Sequence, residues 1–251
     1  MQVGLLGYGY WGKILSFKLD QMDDVEVIWI CTSRDQWRKN VIDLDWVFIA
    51  TPNDVHLEQV KYFIEHGVNV FCEKPLTPSL DESKYLFGLA IKHGVKLYVD
   101  DVFNYRNERK DIKNLTRPIE VTWNKASDNT LYDLLYHDLY LLFPFFREHV
   151  CQGSLPIDWP YIDDIKFNYG QTDDKTHTIN EIDFTNTENS NDALQDMINE
   201  VLHGTPDYRY NKMIALMCNE IIDKLRKSDI ELFESSTQRF DTDSHRIQRG
   251  D

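Results

Sequence analysis

The chain is short of several things, and each shortage narrows what it can be. No apolar run in its 251 residues approaches the roughly eighteen that a membrane-spanning helix needs, so no span is expected. Basic residues are few: 27 lysines and arginines stand against 42 aspartates and glutamates, a formal net charge of −15. Residues 158–200 hold much of the excess, with eleven acids and two lysines. Such a field repels phosphate backbones and argues against a general nucleic-acid binder, although a helix N-terminus can still hold a dinucleotide or sugar phosphate. The four cysteines, Cys31, Cys72, Cys151 and Cys218, lie far apart and form no CxxC pair. That favours reduced thiols over a disulfide framework or a zinc site. The histidines form no HExxH or other metal spacing, so no metal is expected. There is no internal repeat and no low-complexity tract. Met1 runs straight into the strand-like Gln2–Leu6, without a basic n-region or an apolar h-region. The expectation is a cytoplasmic protein with no secretory leader.

What is present is ample core material: 42% hydrophobic and 13% aromatic residues, enough for one large or two small domains. The first hundred residues alternate between strand-like and helix-like segments. Val3–Leu6, Val25–Cys31, Trp46–Ala50, Val68–Cys72 and Val95–Val99 read as buried strands. Residues 11–22, 54–66 and 79–93 read as helices, the second capped by Asn53 and ended by Gly67, the third closed by Gly94. Repetition of this kind argues for a parallel sheet with right-handed crossovers. Only about fourteen residues separate the second strand from the third, too few for a full helix plus another strand. A dinucleotide fold trimmed of one outer strand is therefore expected over residues 1–103.

After residue 104 the pattern changes. Ile119–Asn124, Ile165–Tyr169 and Thr178–Phe184 read as amphipathic strands, and residues 131–146, 192–203 and 208–227 as helices. Met213, Leu216, Met217, Ile221 and Leu225 make a stripe of the kind that faces a core. An α+β domain with an open, mostly antiparallel sheet is expected over 104–228, followed by a polar tail at 229–251 of which Ser235–Asp251 is loosely ordered or paired with a neighbour.

Gly7-Tyr8-Gly9-Tyr10-Trp11-Gly12 matches GxGxxG between a strand and a helix. There Gly7 permits the tight turn, Gly9 lets backbone approach a pyrophosphate, and Gly12 allows close helix–strand packing. At the end of the second strand, where an Asp or Glu would hold the ribose of NAD, this chain has Thr32, Ser33 and Arg34. Two hydroxyls and a guanidinium suit a 2′-phosphate, favouring NADP over NAD, unless Arg34 sits in a solvated turn and NAD binds through backbone.

Further motifs carry a resemblance. Ala50-Thr51-Pro52-Asn53-Asp54-Val55-His56 and, later, Glu73-Lys74-Pro75 follow the glycine motif in order. The set resembles the Gfo/Idh/MocA oxidoreductases, relatives of glucose–fructose oxidoreductase and inositol dehydrogenase. The resemblance implies that Ala50, Thr51, Pro52, Asn53, Glu73 and Lys74 line the cofactor and that Lys74 reaches both the substrate hydroxyl and the nicotinamide. It further implies a cis peptide before Pro75, and His56 packed near the cofactor rather than reacting.

Asp133 and His137 stand four apart in a helical stretch and share one face. They are either a packing histidine with its carboxylate or the family's D-x-x-x-H pair, in which the aspartate contacts substrate and the histidine exchanges the hydroxyl proton. The chemistry fits the second, since imidazole titrates near neutrality and a nearby lysine stabilises a developing alkoxide.

The likeness is good over 1–99, moderate over 100–142 and only architectural beyond. Asp100 and Asp101 occupy a region where many relatives carry a histidine and then an arginine, which suits a polyol better than a carboxylate substrate. The expected activity is hydride transfer between NADP or NAD and a secondary hydroxyl or ketone of a sugar, polyol or sugar nucleotide. The alternatives are a catalytically silent dinucleotide sensor or scaffold, or a reductase of another substrate type. An uncovered apolar sheet face in the second domain is expected to pair copies into a homodimer or homotetramer.

Overall fold

The computed structural model describes residues 1–32, 37–39, 43–125, 131–152, 156–170, 172–185 and 191–227. Five strands form a parallel sheet: β1 (Gln2–Leu6), β2 (Glu26–Cys31), β3 (Trp46–Ile49), β4 (Asn69–Cys72) and β5 (Leu97–Val99), in the order β2-β1-β3-β4-β5. Helices α1 (Tyr10–Asp20), α2 (His56–Glu65) and α3 (Leu80–His93) make the crossovers. Between β2 and β3 the described residues hold only a 3-10 turn, Trp37–Lys39, in agreement with the trimmed edge.

Strands β1, β3, β4 and β5 are short and largely apolar on both faces because both faces are covered, whereas the edge strand β2 leaves Glu26 and Ile30 exposed. On one side Leu15 and Leu19 of α1 pack with Val3, Leu5, Phe48 and Phe71. On the other, Val60, Phe63 and Ile64 of α2 and Leu86 and Ala90 of α3 pack with Val47, Ile49 and Val70. Gly67 and Gly94 end α2 and α3 at φ 76° and 68°, a left-handed turn that costs glycine little. Asn53 does not cap α2. It opens a 3-10 turn, Asn53–Val55, and α2 starts at His56 without a side-chain cap, because the chain leaving Pro52 tightens before it widens.

The second sheet is mixed and six-stranded, in the order β11-β10-β6-β9-β8-β7. Its strands are β6 (Ile119–Asn124), β7 (Ile157–Asp158), β8 (Tyr161–Ile162), β9 (Ile165–Gly170), β10 (Thr176–Ile179) and β11 (Ile182–Asp183). Only β6 and β9 pair in parallel; the other four pairings are antiparallel. The strand expected over Thr178–Phe184 is instead a hairpin. Asn180 turns it at φ 49°, its side chain accepting from the Glu120 amide and its own N–H donating to the Glu120 carbonyl.

A short helix α4 (Arg109–Ile112) precedes β6, and α5 (Leu131–Gln152), α6 (Ala193–His203) and α7 (Tyr208–Lys227) complete the described chain. One face of the second sheet packs under α5 and α7 through Val121, Phe167, Leu139, Phe143, Met217 and Ile221. The outer face carries Glu120, Thr122, Asn124, Lys166, Asn168 and Thr178, exposed or half-buried, with Lys166 and Asn168 both donating to Glu120. Among the described residues that face is mostly polar, with Tyr161 as an exposed aromatic on β8, so the broad apolar surface expected to drive pairing is not seen there: inward residues alternate with hydrophilic ones at the strand period. Helix α6 packs onto the first sheet through Met197, Ile198, Val201 and Leu202. Helix α7 contributes Ala215 to one core and Ile214 and Cys218 to the other. No described helix is long and apolar enough to cross a membrane.

Candidate active site

The expected site residues on the first sheet gather where its strands end, at the carboxyl edge where open α/β sheets bind ligands. Gly7 follows β1 with φ 98°, and a Cβ there would strike the Ala50 carbonyl. Gly12 lies against the Gly7 carbonyl, where a Cβ would also collide. At Gly9, by contrast, a side chain would meet open space. Gly9 is the N-cap of α1, with no side-chain capping bond and no acid in the first turn. The helix thus presents uncapped backbone N–H groups beside a residue that leaves them accessible, an arrangement that fits a pyrophosphate. Tyr8, Tyr10 and Trp11 stand exposed around this loop, Tyr10 and Trp11 edge to face at 5.3 Å. Thr32 is exposed after β2, whereas Ser33 and Arg34 lie outside the described residues.

After β3, Ala50 is half-buried, Pro52 and Asn53 are exposed, and the Thr51 hydroxyl donates to Gln59 Oε1 at 2.6 Å. The buried His56 ring is spent on backbone: Nε2 lies 2.8 Å from the Thr51 carbonyl, and Nδ1 3.0 Å from that of Pro75.

Beyond β4 come Glu73 and Lys74, and the Lys74–Pro75 peptide is cis. Glu73 is buried beside Asp100, and burial followed by the Asp100 charge pushes its carboxyl well above the usual range. Burial also raises Asp100, which the Val102 N–H at 2.8 Å and the hydrogen bond from Glu73 partly offset. The hydrogen bond between them favours ionisation of Asp100 and opposes that of Glu73, so the pair holds a proton on Glu73. Lys74 is half-buried over this pair, its charge felt by both acids and by His137.

His137 comes from the other sheet's helix, α5, and stacks on Phe103 with centroids 4.4 Å apart. Its Nδ1 is buried with no hydrogen-bond partner among the described residues. Burial, then the charge of Lys74, then His177 and Lys125, hold the imidazole well below its ordinary pKa. It is therefore neutral at neutral pH and able to accept a proton. Asp133 lies one turn earlier on α5; its side chain is outside the described residues.

Four neighbours escaped the sequence reading. The fully buried Asp138 accepts from Tyr169 at 2.5 Å and lies 2.7 Å from His177 Nε2, while the His177 ring stacks on Trp123 at 3.8 Å. Arg106, buried, lies over Phe103 and Phe184 and donates to the Phe184 carbonyl at 3.1 Å. Asn219 bridges α5 to the segment after Lys74. None of these has a sequence signature, because each depends on strands and helices that meet only in the fold. His66, His93 and His203 sit at helix ends as their flanking glycines suggest. No group of metal ligands forms among the described residues.

Residues 15–101 match the model of an oxidoreductase family with an NAD-binding Rossmann fold, GFO_IDH_MocA. Among relatives by sequence, the scyllo-inositol 2-dehydrogenase (NADP(+)) IolU of Bacillus subtilis is 42% identical over 115 residues, 44% of this chain and 34% of that protein. The 2,7-anhydro-N-acetylneuraminate hydratase of Mediterraneibacter gnavus is 41% identical over 63 residues, 25% of this chain and 17% of that one. The chain thus spans about a third or less of the length of these two relatives. A UDP-N-acetylglucosamine 3-dehydrogenase from Acidithiobacillus ferrooxidans shares the fold with TM-score 0.66 at 16% identity, covering 88% of this chain and 96% of that one.

Proposed function

From a chain whose residues 15–101 belong to the NAD-binding Rossmann fold of the Gfo/Idh/MocA oxidoreductases, we propose a dehydrogenase that works on a secondary hydroxyl, or its ketone, of a sugar, polyol or sugar nucleotide. Residues 1–103 serve the dinucleotide, and 104–228 the substrate and assembly. The observation that carries the reading is the buried, unpartnered Nδ1 of His137, on the other sheet's helix, among the described residues, with the half-buried Lys74 of the first sheet near enough for its charge to help hold the imidazole neutral. A cation beside a neutral base is the pair that alcohol oxidation requires.

A bound nicotinamide supplies the hydride acceptor in oxidation and the donor in reduction. The chain's own groups do the rest. The α1 N-terminus and the Gly7–Gly12 loop bind pyrophosphate, with Tyr8, Tyr10 and Trp11 flanking it. Ala50, Thr51, Pro52 and Asn53 line the crevice on one side and Glu73 and Lys74 on the other. The imidazole of His137 takes the hydroxyl proton, Lys74 Nζ stabilises the alkoxide left behind, and Asp133 orients the substrate. The Glu73–Asp100 pair, both carboxyls raised by burial, feels the charge of Lys74. A carboxylate substrate would meet acids that already resist ionisation there, which favours a neutral polyol.

The protein is soaked with NADP or NAD and challenged with sugars and polyols while absorbance in the reduced-nicotinamide band is followed. Turnover of one of these supports the reading; tight binding of the dinucleotide with no turnover would favour a silent sensor. NADP is the preferred cofactor in this proposal, held by Thr32, Ser33 and Arg34. Arg34→Ala should then weaken NADP about tenfold to a hundredfold and leave NAD nearly unchanged. Copies assemble in the cytoplasm as a homodimer or homotetramer through a surface other than the polar outer face of the second sheet, and sedimentation at micromolar concentration checks it.

A further inference from the structure

His56 faces more acceptors than one imidazole proton can serve. Its ring is only 1% exposed. Nε2 lies 2.8 Å from the Thr51 carbonyl, while Nδ1 lies 3.0 Å from the Pro75 carbonyl and 3.2 Å from that of Leu76. Carbonyls only accept, and a neutral imidazole has a single N–H. Among the described residues the Cys72 sulfur, 3.4 Å from Nδ1, is the one side-chain partner that can donate to it. The residues on the two sides of the ring are the two walls of the proposed crevice: Thr51 after β3, and Pro75–Leu76 immediately after Lys74.

We propose that His56 is a positioning residue for Lys74, a proton-operated clasp between these two walls. The proposal rests on reading the walls as the dinucleotide crevice. In the neutral ring, Nε2–H donates to Thr51 and Nδ1 accepts the Cys72 S–H, so the Pro75 and Leu76 carbonyls receive nothing from it. On protonation Nδ1 turns from acceptor to donor, the thiol gives way, and the ring holds both walls at once. No other proton moves.

The titratable groups facing the ring are the Asp54 carboxylate, from the 3-10 turn before α2, and the Cys72 thiol, from β4. Burial opposes the charged ring, whereas the three carbonyls and Asp54 favour it, and burial prevails. Burial also pushes the Cys72 thiol well up, followed by the charges of Glu73 and Asp100, so the S–H is present to donate throughout. The clasp is half-open at neutral pH and closes in acid.

Ring 15N shifts of His56 in the wild-type protein, without dinucleotide, decide the first half. The expected result is the Nε2–H tautomer at pH 8, passing to the doubly protonated ring at a midpoint below 6.5. Cys72→Ala should move that midpoint upward, because the neutral ring loses its only donor, an effect that mere loss of packing has no reason to produce. The second half is dinucleotide affinity against pH. Wild type should gain about threefold to tenfold over His56→Gln on acidification, the worth of one hydrogen bond, while the two converge at pH 8. An Nδ1–H tautomer at pH 8, an unmoved midpoint in Cys72→Ala, or parallel pH profiles for wild type and His56→Gln would overturn the clasp. Failure of the wild type to bind dinucleotide at any pH would overturn the crevice reading instead, and the ring spectra would still decide the clasp.

Discussion

Asn219 accepts the Tyr136 hydroxyl at 2.6 Å and donates to the Thr77 carbonyl at 2.9 Å. Tyr136 is the residue before His137, and Thr77 lies three residues past Lys74. One buried amide on α7 therefore sets the distance between the proposed base and the proposed cation. The same amide donates to Ser83 Oγ at 3.1 Å, which anchors the first turns of α3 to it.

Asn219→Leu should therefore act on both stability and rate. It removes the acceptor of the Tyr136 hydroxyl and the donor to the Thr77 carbonyl in the interior, at about 1–3 kcal/mol for a buried group that loses its partner. Turnover should drop about tenfold or more, while dinucleotide affinity changes little, because the glycine loop is remote from α7. Denaturant unfolding and steady-state rates measure the two effects. A variant that unfolds earlier yet turns over at the wild-type rate would show that the bridge supports the fold alone.

The first sheet was legible because its glycines are forced. Gly7 and Gly12 sit where a Cβ would strike backbone, so the motif and the conformation are one fact. Four of its strands are largely apolar on both faces, and the short link between β2 and β3 allowed only a five-stranded order. The second sheet was harder to read. The two-residue strands β7 and β8 are too short for any periodicity, and Asn180 breaks what looks like one strand. Lys74 and His137 could be named from their motifs. Asp138, His177 and Asn219 could not, since their side-chain hydrogen-bond partners lie 31 to 142 residues away in the chain.

The proton accepted by His137 gives a pH profile with a definite sign. Only the neutral imidazole accepts the hydroxyl proton, and burial with Lys74 holds its pKa well below 6.5. Oxidation should then be flat through neutrality and fall on the acid side, below pH 6.5. His137→Ala should lower turnover about a hundredfold to ten-thousandfold, abolish that acid limb and leave dinucleotide affinity nearly intact. Full activity with an unchanged profile would mean that the proton leaves by another route.

Lys74 enters the same profile from the other side. Lys74→Met removes a charge that lowers the His137 pKa, so the acid limb of the residual activity should move toward higher pH. The rate itself should fall, because the developing alkoxide loses its cation. Lys74→Arg should keep the limb in place, since the charge stays, and lose rate through the different shape of the guanidinium. A limb that does not move in Lys74→Met would show that the two groups are not coupled.

Asp101 offers a test that is free of catalysis. Buried with no cation in contact among the described residues, it accepts from Tyr98 at 2.7 Å and from Asn104 at 3.1 Å. Burial raises its pKa to about 6, with those hydrogen bonds opposing. A carboxyl raised in the folded state binds its proton more tightly there than in the unfolded chain. The stabilisation this gives is complete below about pH 4 and is lost as pH climbs through 6. Above that, the fold carries an ionised acid that it resists, at a cost on the order of 3 kcal/mol. Asp101→Asn removes the charge and keeps the shape. The new amide needs an acceptor, and Asn104 Oδ1, buried and without a partner among the described residues, can supply it if the Asn104 amide turns over. Asp101→Asn should thus be more stable than wild type at pH 8 by about 1–3 kcal/mol, and indistinguishable from it near pH 4. Urea unfolding at both values checks this. If the variant is less stable at pH 8, the ionised carboxylate is worth more to Tyr98 and Asn104 than its burial costs.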